Sequence, residues 1–223
     1  ANPTGELSAS LTWTNPSLTY AGEVLTSIEK VEIYRDETLV HTFTEATPGN
    51  DSQWTDQVAS SGIYTYKFLV YNSEGAGIPM STSVFIGSDI PSAVMIASVQ
   101  RDGNNVIRLS WHPSNKGVNN GYLDFSSITY KVTRINDGIV LAEGLTDTTF
   151  TDTSITTLNR YQYSIEVSNA AGTGEPTLTG YIVNGPAREL PLVTDFTNKE
   201  ESQLWSIADA DNDGKTFFWQ YNP

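Results

Sequence analysis

Three aspartates near the C-terminus have the residue type and spacing best suited to binding a metal ion. Asp209, Asp211 and Asp213 alternate with other residues and are followed by Gly214. Carboxylates at positions 1, 3 and 5 of a loop gather oxygen ligands around Ca²⁺, and glycine at position 6 permits the sharp turn. Position 12 is Gln220 instead of a bidentate glutamate, so the pattern predicts half of a calcium loop. The alternative is a solvated acidic turn.

Residues for nucleophilic or acid–base catalysis are scarce. The chain has no cysteine and only two histidines, His41 and His112, which excludes a thiol nucleophile and a multi-histidine metal site. Neither histidine has a Gly-x-Ser-x-Gly elbow to serve, and no glycine-rich phosphate loop opens a helix. Asp56 and Asp152 occupy equivalent positions of a sequence repeat, which favours a shared structural role in a turn over a glycosidase pair. We therefore predict that the chain is not an enzyme and binds no cofactor.

The net charge and hydropathy of the chain limit the kinds of partner that it could bind. Against 26 acidic residues stand 12 basic ones, a net charge of −14. We therefore expect no binding to nucleic acid, because lysine and arginine must neutralise its phosphates. No run of 18 apolar residues is present, so no membrane insertion is predicted. The first residues resemble no signal peptide, because they lack a basic region and an apolar region.

The elements that position these residues belong to a repeat of about 97 residues, which is long enough for a whole domain. The segment Leu11-Thr12-Trp13 matches Leu109-Ser110-Trp111. A longer tyrosine-rich match pairs residues 64–72 with residues 161–169. Each copy then continues to two glycines and a proline.

Hydrophobic periodicity assigns both copies to strands. Apolar residues alternate with polar ones over 7–13 and 64–70, which is typical of strands with one buried face. Asn136-Asp137-Gly138 predicts a hairpin turn between strands at 130–135 and 139–142. No segment shows a helical period. Many short strands with frequent turns, in units of this length, predict two β-sandwiches.

At this point each copy resembles a fibronectin type III domain. Trp13 and Trp111 look like the core tryptophan of that family. Tyr64 and Tyr161 occupy the position of its tyrosine corner, where the phenol hydroxyl bonds back to nearby backbone. The resemblance implies an all-β fold with two tandem immunoglobulin-like sandwiches, in which these four residues are structural.

The expected domains are residues 1–89 and residues 90–187. Only the second copy has room for a first strand, at 94–99 before Trp111. In the first copy, residues 7–13 already have the second-strand pattern, so its first edge strand is expected to be missing. An uncovered edge invites pairing with another chain.

The remaining residues, 188–223, break the repeat. They contain Asp195-Phe196, Trp205 four residues before Asp209, and a late Trp219. This pattern resembles the opening of the cleaved-adhesin and choice-of-anchor jelly-roll domains of secreted surface proteins of Bacteroidetes-like anaerobes. The resemblance implies an incomplete jelly-roll segment, and it makes calcium binding by the aspartates a property of the intact domain.

One loop, residues 113–127, differs between the copies. It places Tyr122 and Phe125 among asparagines, where the rings could stack on a sugar or on a protein partner. The alternative is that they fold back onto the end of the sandwich.

Taken with the resemblance, these features predict a non-catalytic extracellular spacer or adhesion segment. It would present a neighbouring binding domain at the outer surface of a bacterium and contact protein or carbohydrate there. The first alternative is an accessory region, spacer or carbohydrate-binding, of a secreted glycosidase or protease. A further alternative is direct carbohydrate binding by residues 113–127. Because sandwich scaffolds host unrelated functions, the pattern names no ligand.

Overall fold

The computed structural model describes residues 3–187, apart from the side chain of Ala97. In that range the chain forms seventeen β-strands and one 3-10 helix of three residues, so the predicted all-β class is confirmed. No helix in this range is long and apolar enough to cross a membrane. The expected jelly-roll segment, 188–223, lies outside the described residues.

The chain divides into two compact units, each assembled from more than one stretch of sequence. Unit 1 comprises the described part of Ala1–Ser92 together with Asn115–Ser127 and Asn169–Gly172. Unit 2 comprises Ala93–Ser114, Ile128–Ser168 and the described part of Thr173–Pro223. The loop that distinguishes the second sequence copy is therefore largely a part of unit 1.

Unit 1 is built from two antiparallel sheets. Its strands are β1 (Ser8–Thr14), β2 (Lys30–Arg35), β3 (Thr38–Phe43), β4 (Asp51–Gln57), β5 (Gly62–Asn72), β6 (Gly75–Ala76) and β7 (Met80–Ile86). β1 pairs with β4 in one sheet. The other sheet has the order β3-β2-β5, and both β6 and β7 pair with β5. The 3-10 helix, Phe125–Ser127, also belongs to this unit.

The core of unit 1 lies between these sheets. Ala9 and Leu11 of β1 are buried, as are Val31 and Ile33 of β2 and Tyr66 of β5. Because successive side chains of a strand point to opposite faces, each strand contributes alternate residues to the core. The packing of two inner sheet faces makes this unit a β-sandwich.

Unit 2 repeats the arrangement with additional strands. They are β8 (Met95–Arg101), β9 (Ile107–His112), β10 (Thr129–Arg134), β11 (Ile139–Leu145), β12 (Thr149–Asp152), β13 (Asn159–Tyr161), β14 (Tyr163–Asn169), β15 (Gly172–Thr173), β16 (Thr177–Leu178) and β17 (Ile182–Asn184). Two of these strands, β14 and β15, each include one residue that the division assigns to unit 1, Asn169 and Gly172. One sheet has the order β12-β9-β8 and another has the order β11-β10-β14, with β15 and β16 on β14. β13 pairs separately with β17.

The core of unit 2 is formed by the same strand positions. Ile107, Leu109 and Trp111 alternate along β9, and all three are buried. Tyr130 and Val132 of β10 are buried opposite them. The rings of Trp111 and Tyr130 are 5.3 Å apart and nearly perpendicular, a favourable edge-to-face contact.

Strand register shows that the sequence repeat is also a structural repeat. Leu11 of β1 lies opposite Trp54 of β4. Its counterpart in unit 2, Leu109 of β9, lies opposite Phe150 of β12. A one-residue slip would turn the apolar side chains to the solvent, so the buried face sets the same register in both units.

The predicted hairpin is confirmed between β10 and β11. Residues 135–138 form its turn, and Gly138 has a φ of +69°. Glycine adopts this left-handed conformation without a steric penalty, which explains its place at the end of the turn.

Candidate functional site

Unit 1 contains a buried polar cluster contributed by three strands. Arg35 ends β2, Asp56 lies in β4 and Tyr66 lies in β5. Asp56 Oδ2 accepts hydrogen bonds from Arg35 Nη1 at 2.5 Å and from Tyr66 Oη at 2.7 Å. Tyr66 is fully buried, so its hydroxyl needs this partner. The cluster ties one sheet of the sandwich to the other.

The same cluster recurs in unit 2 with more hydrogen bonds. Asp152 Oδ2 accepts from Arg134 Nη1 at 3.0 Å and from Tyr163 Oη at 2.9 Å. Ser154 adds two bonds to Asp152 Oδ1, from its amide at 2.8 Å and from its hydroxyl at 2.6 Å. Arg134 also donates to the carboxylate of Asp137 in the hairpin turn.

The protonation of this cluster argues against acid–base chemistry. Burial raises the pKa of Asp152, but hydrogen bonds from Ser154, Tyr163 and Arg134 outweigh burial and hold it below its usual range. Burial and the bond to Asp152 raise the pKa of the Tyr163 phenol, and burial and Asp56 do the same for Tyr66. The carboxylate of Asp152 therefore stays charged, and the phenols of Tyr163 and Tyr66 stay protonated, at neutral pH. None of these three groups is poised near pH 7, as general acid–base catalysis requires.

The shared structural role expected for Asp56 and Asp152 was correct, but its location in a turn was wrong. Asp56 lies inside β4 and Asp152 ends β12. The signal for the cluster in the sequence was that the arginines and tyrosines around these aspartates also match between the two copies. The sequence could not predict that these three side chains are in contact, because they lie on strands that are distant from one another in the sequence.

The tyrosines at 64 and 161 make equivalent hydrogen bonds to the backbone. Tyr64 Oη donates to the carbonyl of Ser60 at 2.9 Å. Tyr161 Oη donates to the carbonyl of Thr157 at 2.7 Å. In both cases the acceptor is four residues upstream, the geometry of a tyrosine corner. Tyr64 is half-buried whereas Tyr161 is buried.

The two core tryptophans differ in exposure. Trp111 is buried in unit 2, but Trp13 is only half-buried in unit 1. Trp13 packs against the rings of Phe43 and Phe68, and its Nε1 donates to Asn15 Oδ1 at 2.9 Å. One face of Trp13 therefore reaches the surface.

That face opens into an apolar groove of about 800 Å³ in unit 1. The groove is lined by Trp13 and Phe68 at its base and by Leu18, Tyr20, Ile78 and Met80, among others, at its rim. The four rim side chains are large and mostly exposed, and Tyr20 reaches 90% exposure. Clustered exposed apolar residues mark interaction surfaces more often than scattered ones do.

The two aromatic residues of the loop predicted to bind a ligand, residues 113–127, differ in their surroundings. Phe125 lies in the 3-10 helix and is 60% exposed. Tyr122 instead packs against Gly5, where even a Cβ atom would collide with its ring. Phe125 is therefore the more exposed of the two rings, whereas Tyr122 is half-buried and has one contact with Gly5.

A buried aspartate holds this loop within unit 1. Asp89 Oδ2 accepts hydrogen bonds from the amides of Asn119 at 2.7 Å and Gly121 at 2.9 Å. Asp89 Oδ1 accepts from the side chain of Asn119 and from the amide of Ile90. Burial raises the pKa of Asp89, but these bonds outweigh it and hold the pKa below its usual range. Sequence reasoning missed this residue, because nothing local marks an aspartate whose partners lie 30 residues away.

Each unit contains one of the two histidines. His41 stacks on the indole of Trp54 in unit 1, with ring centroids 4.7 Å apart. His112 is exposed at the end of β9 in unit 2. Residues 3–187 contain no group of three or more histidine, aspartate or glutamate side chains that could hold a metal ion. The predicted calcium ligands Asp209, Asp211 and Asp213 lie outside the described residues.

No protein-family model and no curated protein matches the sequence. Solved structures that resemble this chain include the FN1–FN3 domains of chicken CNTN1, at 16% identity and a TM-score of 0.37. That match covers 83% of this chain and 63% of the CNTN1 chain, so this chain spans less than two thirds of it. The fibronectin(III)-like modules of Clostridium thermocellum CbhA match at 17% identity and a TM-score of 0.31, covering 81% of this chain and 86% of theirs. Both of these solved structures consist of fibronectin type III domains or fibronectin(III)-like modules.

Proposed function

We propose that this chain is a non-catalytic segment of tandem fibronectin-type-III-like modules from an extracellular protein. It spaces a neighbouring domain from the surface to which the protein is attached, and it takes part in adhesion. The supporting observation is the duplicated cluster of arginine, aspartate and tyrosine. In both units the charged side chains of this cluster bind one another and a buried tyrosine across the sheets, which is the use expected in a scaffold.

The proposed spacing role requires the folded chain to present an attached domain better than a flexible linker would. We would anchor the chain to a bead through its N-terminus and fuse a reporter domain after Pro223. The matched control replaces the chain by a glycine–serine linker of the same length, which samples many end-to-end distances. A second surface that binds the reporter is then brought to the bead. We expect it to capture more reporter when the folded chain holds the reporter than when the glycine–serine linker does. Equal capture by both would contradict the spacing role.

The adhesion role would use the apolar groove of unit 1 and its exposed rim. Tyr20 and Ile78 supply a ring and an aliphatic side chain that a protein or carbohydrate partner would cover. The test is binding of the whole chain to glycan and protein arrays. Tyr20→Ser should abolish binding, and Tyr181→Ser, which removes an exposed tyrosine of unit 2, should leave it intact. Binding that survives Tyr20→Ser would contradict this assignment.

A further inference from the structure

The apolar groove of unit 1 has two walls that are distant in sequence. One wall is the loop of residues 16–25, in which the amide of Thr19 donates to the carbonyl of Glu23 at 2.8 Å. The other wall is the segment 72–80, where β6 pairs with the end of β5 and β7 begins. Because hydrogen bonds hold the backbone of each wall, the groove is preformed, as most binding sites are.

The rim of this groove is apolar although it faces the solvent. Leu18 and Tyr20 of the first wall are 54% and 90% exposed, and Ile78 and Met80 of the second wall are each 72% exposed. Met80 lies opposite Phe68 in the β5–β7 ladder, so the rim and the base form one continuous apolar surface. A volume of about 800 Å³ lies within the range of known ligand sites, roughly 300–1,000 Å³.

The second copy of the repeat does not share this apolar rim. By sequence, Ile78 and Met80 correspond to Glu175 and Thr177. The sandwich of unit 2 therefore carries a charged and a polar residue where unit 1 exposes two large apolar ones. The common fold does not require apolar side chains at these positions, so a scaffold role alone does not account for them.

A carboxylate is the only charged group placed in this groove. Among the described residues that line it, Glu74 is the one that carries a charge. Glu74 lies in the turn after β5, where its amide donates to Asn72 Oδ1 at 3.1 Å, and its counterpart in the second copy is Ala171. In the opposite wall Glu23 is exposed. Both walls thus present negative charge beside the apolar rim.

A lysine beside the groove does not neutralise this charge. The ammonium of Lys30 lies 4.4 Å from the ring centroid of Tyr71, a lining residue, but it donates to Glu32 Oε1 at 2.7 Å. Residues 1–89 carry 11 acidic and 3 basic side chains, a net charge of −8. An occupant that complements both the apolar surface and the negative charge is apolar and basic.

Two other kinds of occupant complement this surface less well. The hydroxyls of a carbohydrate would find no hydrogen-bond partners on Leu18, Ile78 and Met80, and a buried polar group without a partner lowers affinity. A second copy of this chain has a net charge of −14, and residues 188–223 contain seven acidic and three basic side chains. Both would bring further negative charge to Glu74.

We propose that the groove binds a polypeptide segment of a partner protein in which large apolar side chains adjoin a lysine or an arginine. The apolar side chains fill the groove between Tyr20 and Ile78, and the basic group pairs with Glu74. Apolar burial supplies most of the affinity, whereas the exposed ion pair selects the sign of the charge. This inference rests on the adhesion role proposed for the groove and names the partner's chemistry.

The test uses the whole chain and a library of random heptapeptides displayed on phage, from which bound peptides are selected and sequenced. We expect the selected peptides to be enriched in large apolar residues together with lysine or arginine, and depleted of aspartate and glutamate. A matched selection uses Glu74→Gln, which keeps the shape of the side chain. With this variant we expect the apolar preference to remain and the preference for lysine or arginine to weaken.

A peptide selected on the unchanged chain then measures each contribution. Glu74→Gln should weaken its binding about threefold, because an exposed ion pair contributes little, and high salt should remove the difference. Ile78→Ser should weaken binding about tenfold or more, because it removes apolar surface that the peptide covers. Ile139→Ser, at an exposed position of unit 2, is the matched control and should bind normally. Thermal unfolding of each unbound variant verifies that it is folded.

Two results would overturn the inference. One is a selection that enriches no sequence, or sequences without a preference for lysine or arginine. The other is peptide binding that neither Glu74→Gln nor Ile78→Ser changes, because the peptides would then bind elsewhere. If glycan-array binding depended on Tyr20 while the peptide selection failed, the adhesion role would stand and this inference would not. The reporter experiment is unaffected by either result, so the proposals are distinguishable.

Discussion

The two units contain the same polar cluster in different surroundings. In unit 2 the side chain of Arg134 is 8% exposed and binds both Asp137 and Asp152. In unit 1 the side chain of Arg35 is 26% exposed and pairs with Asp56. Ser154 donates two bonds to Asp152, whereas the residue at the corresponding position of unit 1 is Val58, which has no side-chain donor. The repeat thus determines the geometry of the cluster, and its neighbours determine how far it is removed from water.

The largest expected effect comes from removing the central carboxylate in each unit. Asp152→Ala leaves the buried hydroxyl of Tyr163 without its acceptor and removes one of the two carboxylates that bind Arg134, so it should reduce the stability of unit 2 by about 3–4 kcal/mol. Asp56→Ala should cost unit 1 about 2 kcal/mol, because water can solvate Arg35. Hydrogen exchange of core amides during urea titration reports each unit separately. Asp147→Ala, at an exposed position of unit 2, is the control, and equal losses would contradict the comparison.

Unit 1 has a buried carboxylate of its own in Asp89, which binds loop amides instead of an arginine. Asp89→Ala leaves the amides of Asn119 and Gly121 without acceptors and should cost about 2–3 kcal/mol. We expect faster exchange at these two amides, with the core amides of β9 in unit 2 unchanged. Asp124→Ala, which removes a more exposed carboxylate from the same loop, should leave both amides protected.

The pH dependence of unit 2 tests the role of its carboxylate without deleting it. Because the pKa of Asp152 is lower in the folded chain than in the unfolded one, its stabilisation is complete above the unfolded pKa of about 3.9. That stabilisation is lost as the pH falls through the folded value. Core amides of unit 2 should therefore lose protection in acid below about pH 4. Asp152→Asn should show a flatter profile over this range, and identical profiles would show that Asp152 is not responsible.

The corner tyrosines provide a smaller comparison. Tyr161→Phe leaves the carbonyl of Thr157 without its donor and should cost about 1–2 kcal/mol. Tyr64→Phe should cost about 1 kcal/mol or less, because water can replace a hydroxyl at a half-buried position. Thermal unfolding followed separately in each unit measures both. If the unfolding midpoints of both variants were unchanged, the tyrosine corners would not contribute to stability.

The smallest effect is expected at the loop predicted to bind a ligand. Phe125→Ala should change stability by less than about 0.5 kcal/mol, because the ring is mostly exposed. Tyr122→Ala should instead destabilise the loop, since its ring packs on Gly5. A glycan array compares the unchanged chain with Phe125→Ala. Binding that depends on Phe125 would support direct carbohydrate recognition by this loop.

Local sequence patterns were sufficient to predict much of the fold. Strand β1, the β10–β11 hairpin and the equivalence of Trp13 with Trp111 follow from alternation, turn residues and self-comparison. These features depend on neighbours close in sequence or on a residue's match in the other copy. The all-β class follows from them, because alternation over short segments leaves each strand one apolar face that a second sheet must cover.

Only the tertiary structure decided which residues meet. The partners of Asp89 lie about 30 residues further along the chain, and the two clusters each join three strands. Tyr122 and Phe125 look alike in sequence, yet one packs on Gly5 and the other faces the solvent. Composition and period determine which faces are apolar, whereas burial of a polar group depends on the geometry of every element packed around it.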